Sequence, residues 1–226
     1  LKNFLKMEGI IKIDGLLADL GVSSHQFDVA ERGFSTRHDG QLDMRMSVNS
    51  NLSAKDVVND YLEADLANVL YKYGELRNSR RIANKIVIAR EISRINTTSE
   101  LIDVISDLSP EKFRNQFLAR VFQAIRIEVN DEITNLKEML LSAVELLNPD
   151  GRLVVLSYHS LEDRLVKNLV KKGNFEGKVE KDFFGIPIKK LKEINSKVIV
   201  ASDYEIKENS RARSAKLRIA EKINDN

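Results

Sequence analysis

Asp19 is the residue in this sequence best placed to do chemistry. It closes the apolar run Ile13-Asp14-Gly15-Leu16-Leu17-Ala18 and is followed at once by Leu20-Gly21-Val22-Ser23-Ser24. An acid, a glycine and two hydroxyls after a short apolar run describe a buried parallel strand opening into a loop. In open α/β sheets ligands sit at that end of the strands, so Asp19, Ser23 and Ser24 are candidate ligand contacts. An acid that only caps a turn is the competing reading. A second strand end stands at Ser157-Tyr158-His159-Ser160-Leu161-Glu162-Asp163-Arg164. Beside the first it forms the other wall of one crevice, with Ser160 capping the next helix and Tyr158 and His159 facing substrate. A Ser-His-Asp hydrolase is disfavoured, because neither serine lies in a Gly-x-Ser-x-Gly elbow.

Further polar groups carry two readings each. Gln123, Arg126 and Asn130 flank an apolar helical stripe, where amides and a guanidinium need partners. They either tether neighbouring elements or touch substrate. Glu31–Ser35 and Asp39–Met46 alternate turn, charged and apolar residues, which suits a rigid salt-bridged loop or a substrate loop. Arg77, Arg80, Arg81, Lys85 and Arg90 form one basic group, and Arg211, Arg213, Lys216 and Arg218 another. Solvation explains such charges; on the rims of a cleft they also suit phosphate contacts.

The composition limits what these residues can belong to. At 226 residues and 42% hydrophobic, the chain has room for a core and one or two domains. Its 36 Lys+Arg against 34 Asp+Glu leave a net charge of +2, so any nucleic-acid surface must be local. With no cysteine there is no disulfide or thiolate chemistry, which suits a reducing cytoplasm. No apolar run is long enough for a membrane span. His25, His38 and His159 are not grouped at metal-ligand spacing, so no metal is expected. No Gly-x-Gly-x-x-Gly loop follows an apolar strand.

The elements that must hold the two strand ends follow from periodicity. Ser53 can cap a helix through Val57, Val58, Tyr61 and Leu62, and Ala83, Ile86, Val87 and Ile92 mark another. Ser99 leads into a third that bears Leu101, Ile102, Val104 and Ile105. From Phe117 to Leu147 one stripe recurs at steps of three and four, predicting a single long helix broken by Asn148-Pro149-Asp150-Gly151. Arg152–Ser157 reads as a buried strand, and Val198–Ala201 and Lys216–Ala220 as two strands able to pair antiparallel. Lys171–Lys192 reads as a mobile surface excursion. The expected class is α/β. A parallel sheet at 1–28 and 117–226 carries an inserted helical domain at 29–116, placed to grip a substrate at the strand ends.

The segments Asp14–Gly33 (DGLLADLGVSSHQFDVAERG), Gly40–Met46 (GQLDMRM), Tyr73-Gly74-Glu75, Phe122–Asn130, Pro149–Arg164 (PDGRLVVLSYHSLEDR) and Asn209–Leu217 (NSRARSAKL) together resemble the MraW family of ribosomal RNA small subunit methyltransferases. The resemblance runs over nearly the whole chain, in the family's order. It implies a class I methyltransferase with a helical domain inserted after its fourth strand. It also implies S-adenosyl-L-methionine as cofactor and the exocyclic N4 of a cytosine in the decoding region of 16S ribosomal RNA as target. Asp19 and Gln26 match cofactor contacts of the family. Its Gly-Gly-His loop, ribose-holding acid and pocket phenylalanine have no counterpart in these residues. Leu76 stands where a second glutamate is common, and Ser210 where proline is.

Methylating an exocyclic amine needs no strong base, because the proton can leave after the methyl group arrives. The enzyme must align nitrogen, carbon and sulfur and draw the amine lone pair from the ring. Asp19 and the Leu20–Ser24 carbonyls are the candidate acceptors, although Asp-Leu-Gly-Val replaces the acid-Pro-Pro-aromatic loop common among amino-methyltransferases. Lacking a glycine loop, these residues alone are expected to bind cofactor poorly and not to turn over. A first strand with one unpaired edge invites a homodimer, aggregation or local disorder. A noncatalytic RNA-binding or assembly module is the competing function, and nothing favours a nicotinamide oxidoreductase.

Overall fold

A computed structural model describes residues 1–224. The chain falls into two compact units, Leu1–Gly21 with Ile133–Asn226, and Val22–Glu132. In the first, α1 (Lys2–Met7) leads to β1 (Ile13–Asp19). After the second unit the chain returns as α8 (Glu132–Leu146), β2 (Leu147–Ser157) and α9 (Ser160–Lys172). It ends with β3 (Leu191–Glu193), β4 (Ile199–Val200), α10 (Asp203–Glu208) and β5 (Lys216–Lys222). The sheet order is β1-β2-β5-β3, with β4 also on β5. Among the described residues only β1 and β2 run parallel; β5 is antiparallel to β2, β3 and β4. The architecture is α/β, as a Rossmann-like methyltransferase requires.

One sheet face makes the core. Leu16, Ala18, Leu153, Val155 and Ala220 pack with Leu136 and Leu140 of α8 and Val166 and Leu169 of α9. Across the ladder Leu16 pairs with Leu153 and Ala18 with Val155, which puts them on the same face. The opposite face is thinner, and Leu17 is 74% exposed. The buried strand expected at Ile13–Asp19 is thus covered on one face and paired on one edge among the described residues.

The second unit is helical: α2 (Ser24–Asp28), α3 (Ala54–Asp60), α4 (Glu63–Gly74), α5 (Ser79–Ile92), α6 (Thr98–Ile105) and α7 (Arg114–Asn130). Its core joins Val57 and Val58 of α3, Leu66 and Leu70 of α4, Ile82 and Ile86 of α5, and Val121 and Ile125 of α7. Ser53 caps α3 in a reciprocal box with Asp56. α6 starts two residues earlier than Ser99 suggested, because Thr97 and Glu100 form its box.

The long helix expected from Phe117 to Leu147 is two. Asp131 adopts a left-handed conformation (φ 46°) between α7 and α8. The apolar steps continue on either side, so periodicity alone could not reveal the break. α7 packs with α3 and α4, so the compact units divide at Gly21 and Glu132 rather than at 28 and 116.

Candidate active site

The two strand ends singled out in the sequence are neighbours. Asp19 pairs with Leu156 in the parallel ladder, and the Leu20 N–H donates to the Leu156 carbonyl at 3.0 Å. The turn that follows needs glycine, since Gly21 has φ 83°. From the end of β2 the Tyr158 hydroxyl donates to Asp19 Oδ1 at 2.9 Å. Burial, then the bond to Asp19 and its charge, push the Tyr158 hydroxyl up to about 12. It therefore stays protonated at neutral pH and fixes one carboxylate oxygen, in a site open to solvent.

The tyrosine is itself held by the start of α9. Glu162, 3% exposed, accepts from the Tyr158 N–H at 2.9 Å and the His159 N–H at 3.3 Å. In return the Glu162 N–H donates to His159 Nδ1 at 3.4 Å, closing a capping box in which histidine takes the serine's place. Ser160, expected as the cap, is the first helical residue. Its neighbour takes over because His159 is extended (φ −137°, ψ 165°) with an acceptor aimed at the third helical N–H. His159 thus has a structural duty. Ser157 is buried and donates to the Lys216 carbonyl at 3.3 Å.

Several predicted contacts are spent on the scaffold. Ser23 caps α2, and Gln26 Oε1 accepts from the Ser23 N–H at 3.0 Å, so the loop hydroxyl and the candidate cofactor amide serve each other. Ser24 is the first, exposed residue of that helix. Arg126 makes a two-point pair with Glu132 at 2.8 and 3.0 Å. Asn130 accepts from the Met46 N–H at 2.6 Å and donates to the Met44 carbonyl at 2.8 Å. Both tether the Asp39–Met46 loop or the end of α7, the first of the two readings. The loop is salt-bridged: Asp43 meets Arg45 at 2.6 Å, and burial there is outweighed by Arg45, holding the Asp43 carboxyl below its usual range.

The basic groups separate in the same way. Arg90 donates to the carbonyls of Val58 and Tyr61 at 2.8 and 2.6 Å, finishing α3. Arg218 Nε donates to Asp163 at 2.7 Å and Lys216 lies 3.5 Å from the same carboxylate, so these two are internal partners rather than a phosphate patch. Burial raises the Asp163 pKa, but the Arg218 bond and the two cations bring it below the usual range. Arg211 and Arg213 are exposed in a short 3₁₀ turn at Ser210–Ser214. That turn enters β5 at Lys216, which pairs with Ser157, so both arginines lie at the sheet end that bears Asp19 and Tyr158.

Sequence reasoning missed Glu162 as the anchor of Tyr158, although its three-residue spacing from His159 carried the signal. It also missed α4 and, beside it, a cavity of about 600 Å³ lined by Tyr61, Leu62, Lys72, Tyr73 and Glu128. Tyr61 donates to Glu128 there at 2.8 Å. No helix among the described residues is long and apolar enough to cross a membrane.

The model of the MraW methylase family matches residues 1–223. A protein of Flavobacterium johnsoniae named ribosomal RNA small subunit methyltransferase H is 57% identical over 226 residues, 99% of this chain and 74% of its own length. Proteins of the same name from Phocaeicola vulgatus and Bacteroides thetaiotaomicron are 55% and 56% identical, each over 98% of this chain and 73% of their own. Identity above one half, in a match that leaves out only the final residues, makes this chain a member of the MraW methylase family.

Proposed function

We propose that the chain belongs to an S-adenosyl-L-methionine-dependent enzyme that methylates N4 of a cytosine in the decoding region of 16S ribosomal RNA, within the small subunit. The observation that carries this reading is the Asp19–Tyr158 pair on adjacent parallel strand ends. When bound, the cofactor supplies an electrophilic methyl group. The residues present fit part of it: Asp19 is an exposed carboxylate able to accept from an ammonium, but the 226 residues hold no glycine-rich loop of backbone donors. These residues by themselves therefore bind the cofactor weakly and do not turn over.

In this reading the strand-end acceptors orient an amine, and Tyr158 keeps the carboxylate in one rotamer. No strong base is needed, since the amine proton leaves after transfer. The target base leaves its stack to reach the site. The helical unit recognises the RNA, with Arg77, Arg80 and Arg81, all exposed, on its surface. Arg211 and Arg213 meet phosphates at the sheet end. Gln26 borders the cofactor, as the family resemblance implies, and Ser24 meets the RNA. The names of the relatives support the RNA substrate. The exposed Arg77, Arg80 and Arg81 also suit a second reading, a noncatalytic RNA-binding or assembly module.

Deleting the gene and mapping methylated nucleosides in small-subunit RNA by mass spectrometry separates the two. One N4-methylcytidine should disappear. An unchanged set of methylated nucleosides would refute the enzyme.

A further inference from the structure

Between α9 and β3 the chain spends its most apolar surface on solvent. Phe183 and Phe184 are 98% and 83% exposed, and the first is the barest large apolar side chain among the described residues. Within the segment expected to be a mobile excursion, residues 180–188 form a hairpin. Asp182 N–H donates to the Ile186 carbonyl at 2.9 Å, Gly185 N–H to the Asp182 carbonyl at 3.0 Å, and Ile188 N–H to the Glu180 carbonyl at 2.9 Å. The Asp182 carboxylate accepts from Phe184 and Ile186 N–H groups at 2.9 and 2.8 Å. Gly185, with φ 82°, supplies the left-handed position that follows such a tight turn. The base is pinned as well, by Asn168 donating to the Phe175 carbonyl at 2.9 Å and Asn174 accepting from the Gly177 N–H at 2.9 Å.

Such hydrogen bonding could have served a polar tip equally well. Instead the tip carries two rings at 86° to each other, which leaves faces open. Burying a phenylalanine removes about 150–250 Å² from water, so two on a tip are a standing incentive to bind something. Lys178, Lys181, Lys189 and Lys190 lie along the same hairpin on either side of them in sequence, all exposed and none paired with a carboxylate among the described residues. The nearest acids are occupied: Asp182 by the turn and Glu180 by Asn174 at 3.3 Å. Aromatic faces between unpaired ammonium groups suit bases that stack and phosphates that flank them.

We propose that the Lys178–Lys190 hairpin is an RNA contact in which Phe183 and Phe184 stack on unpaired bases while the lysines meet the phosphates. This rests on the reading of the substrate as RNA and adds where a second stretch of it is held. The hairpin leads into β3, which pairs with the Lys222 end of β5, whereas Ser157 pairs with Lys216. At roughly 3.3 Å per residue the hairpin joins the sheet about 20 Å from the strand-end site. It therefore positions the RNA and leaves the target base to the site.

Fluorescence anisotropy with a labelled, unstructured RNA of about 12 nucleotides tests it, against the same strand in a duplex. F183A/F184A should weaken single-strand binding about tenfold or more, the scale of one or two lost stacking contacts. F183L/F184L should stay weak, because it keeps apolar bulk without a stacking face, and F183Y/F184Y should bind as the parent chain does. K189A/K190A should flatten the salt dependence. Far-UV circular dichroism checks that each variant is folded. The proposal is overturned if the alanine or leucine pair binds as the parent does, or if the parent binds no RNA. Equal binding of duplex with the same loss also overturns it, as does loss of self-association or of anionic-vesicle binding in F183A/F184A with RNA binding unchanged. Persistence of N4-methylcytidine in a deletion strain would end the methylation reading and leave this binding result standing.

Discussion

Tyr158 and Asp163 carry the residue-scale consequences. Tyr158→Phe removes the only hydrogen bond to the Asp19 carboxylate among the described residues without emptying any volume. Because the pair faces solvent, stability should change by less than about 1 kcal/mol. Methyl transfer by the complete enzyme should fall about tenfold as the carboxylate loses its fixed rotamer. The hydroxyl pushed up to about 12 also has a pH signature. Its folded-state pKa lies above the unfolded value near 10, so its contribution is complete below pH 10 and is lost as pH rises towards 12. Urea unfolding of Tyr158→Phe should show a shallower alkaline decline than the parent; parallel declines would show that the bond to Asp19 is not formed. Asp163 has the opposite sign. Its carboxyl is held below the usual range, so its stabilisation is present above the unfolded pKa and is lost as pH falls through the folded one. Asp163→Asn leaves Arg218, 14% exposed at its side chain, without its partner and should cost roughly 2–4 kcal/mol in urea.

Among elements, the start of α9 decides whether the site exists. Glu162→Ala strips the acceptor from two N–H groups and opens the capping box, a cost of about 2–3 kcal/mol with lowered helix content. A variant as stable as the parent would mean that Tyr158 is positioned by something else. How much of this was legible in the sequence depended on range. The apolar runs at Ile13–Asp19, Arg152–Ser157 and Lys216–Ala220 marked strands, and Ser53 marked a helix start, because those signals are local. Asp131 hid its break because a single left-handed residue leaves three-and-four spacing intact on both sides. His159 hid as a cap because the local preference belongs to serine, one position later. Arg218 looked like a phosphate ligand because its true partner, Asp163, is distant in sequence and adjacent only across the fold. Ser23 reads in the sequence as a loop hydroxyl and Gln26, from the resemblance, as a cofactor contact; their mutual bonds appear only once α2 has formed.

At the scale of the whole molecule, the sheet of the described residues ends at β1, which pairs there only with β2 and exposes Leu17. Unpaired backbone groups beside an apolar side chain favour association, and we propose that the 226 residues form a homodimer or larger species through this edge. Sedimentation should show a mass that grows with concentration, and Leu17→Lys should hold the chain as a monomer. A monomer at every concentration for the parent chain would reject it. Calorimetry should give no micromolar binding of S-adenosylmethionine to these residues alone, since a single carboxylate wall replaces a full cradle of backbone donors. The most direct test of the strand-end site is complementation. A deletion strain is supplied with the complete parental gene or with its Asp19→Asn form, and small-subunit RNA is read for N4-methylcytidine. The parental gene should restore the modified base and Asp19→Asn should leave it absent while the protein accumulates normally; full modification by Asp19→Asn would contradict a methyl-transfer site built on that carboxylate.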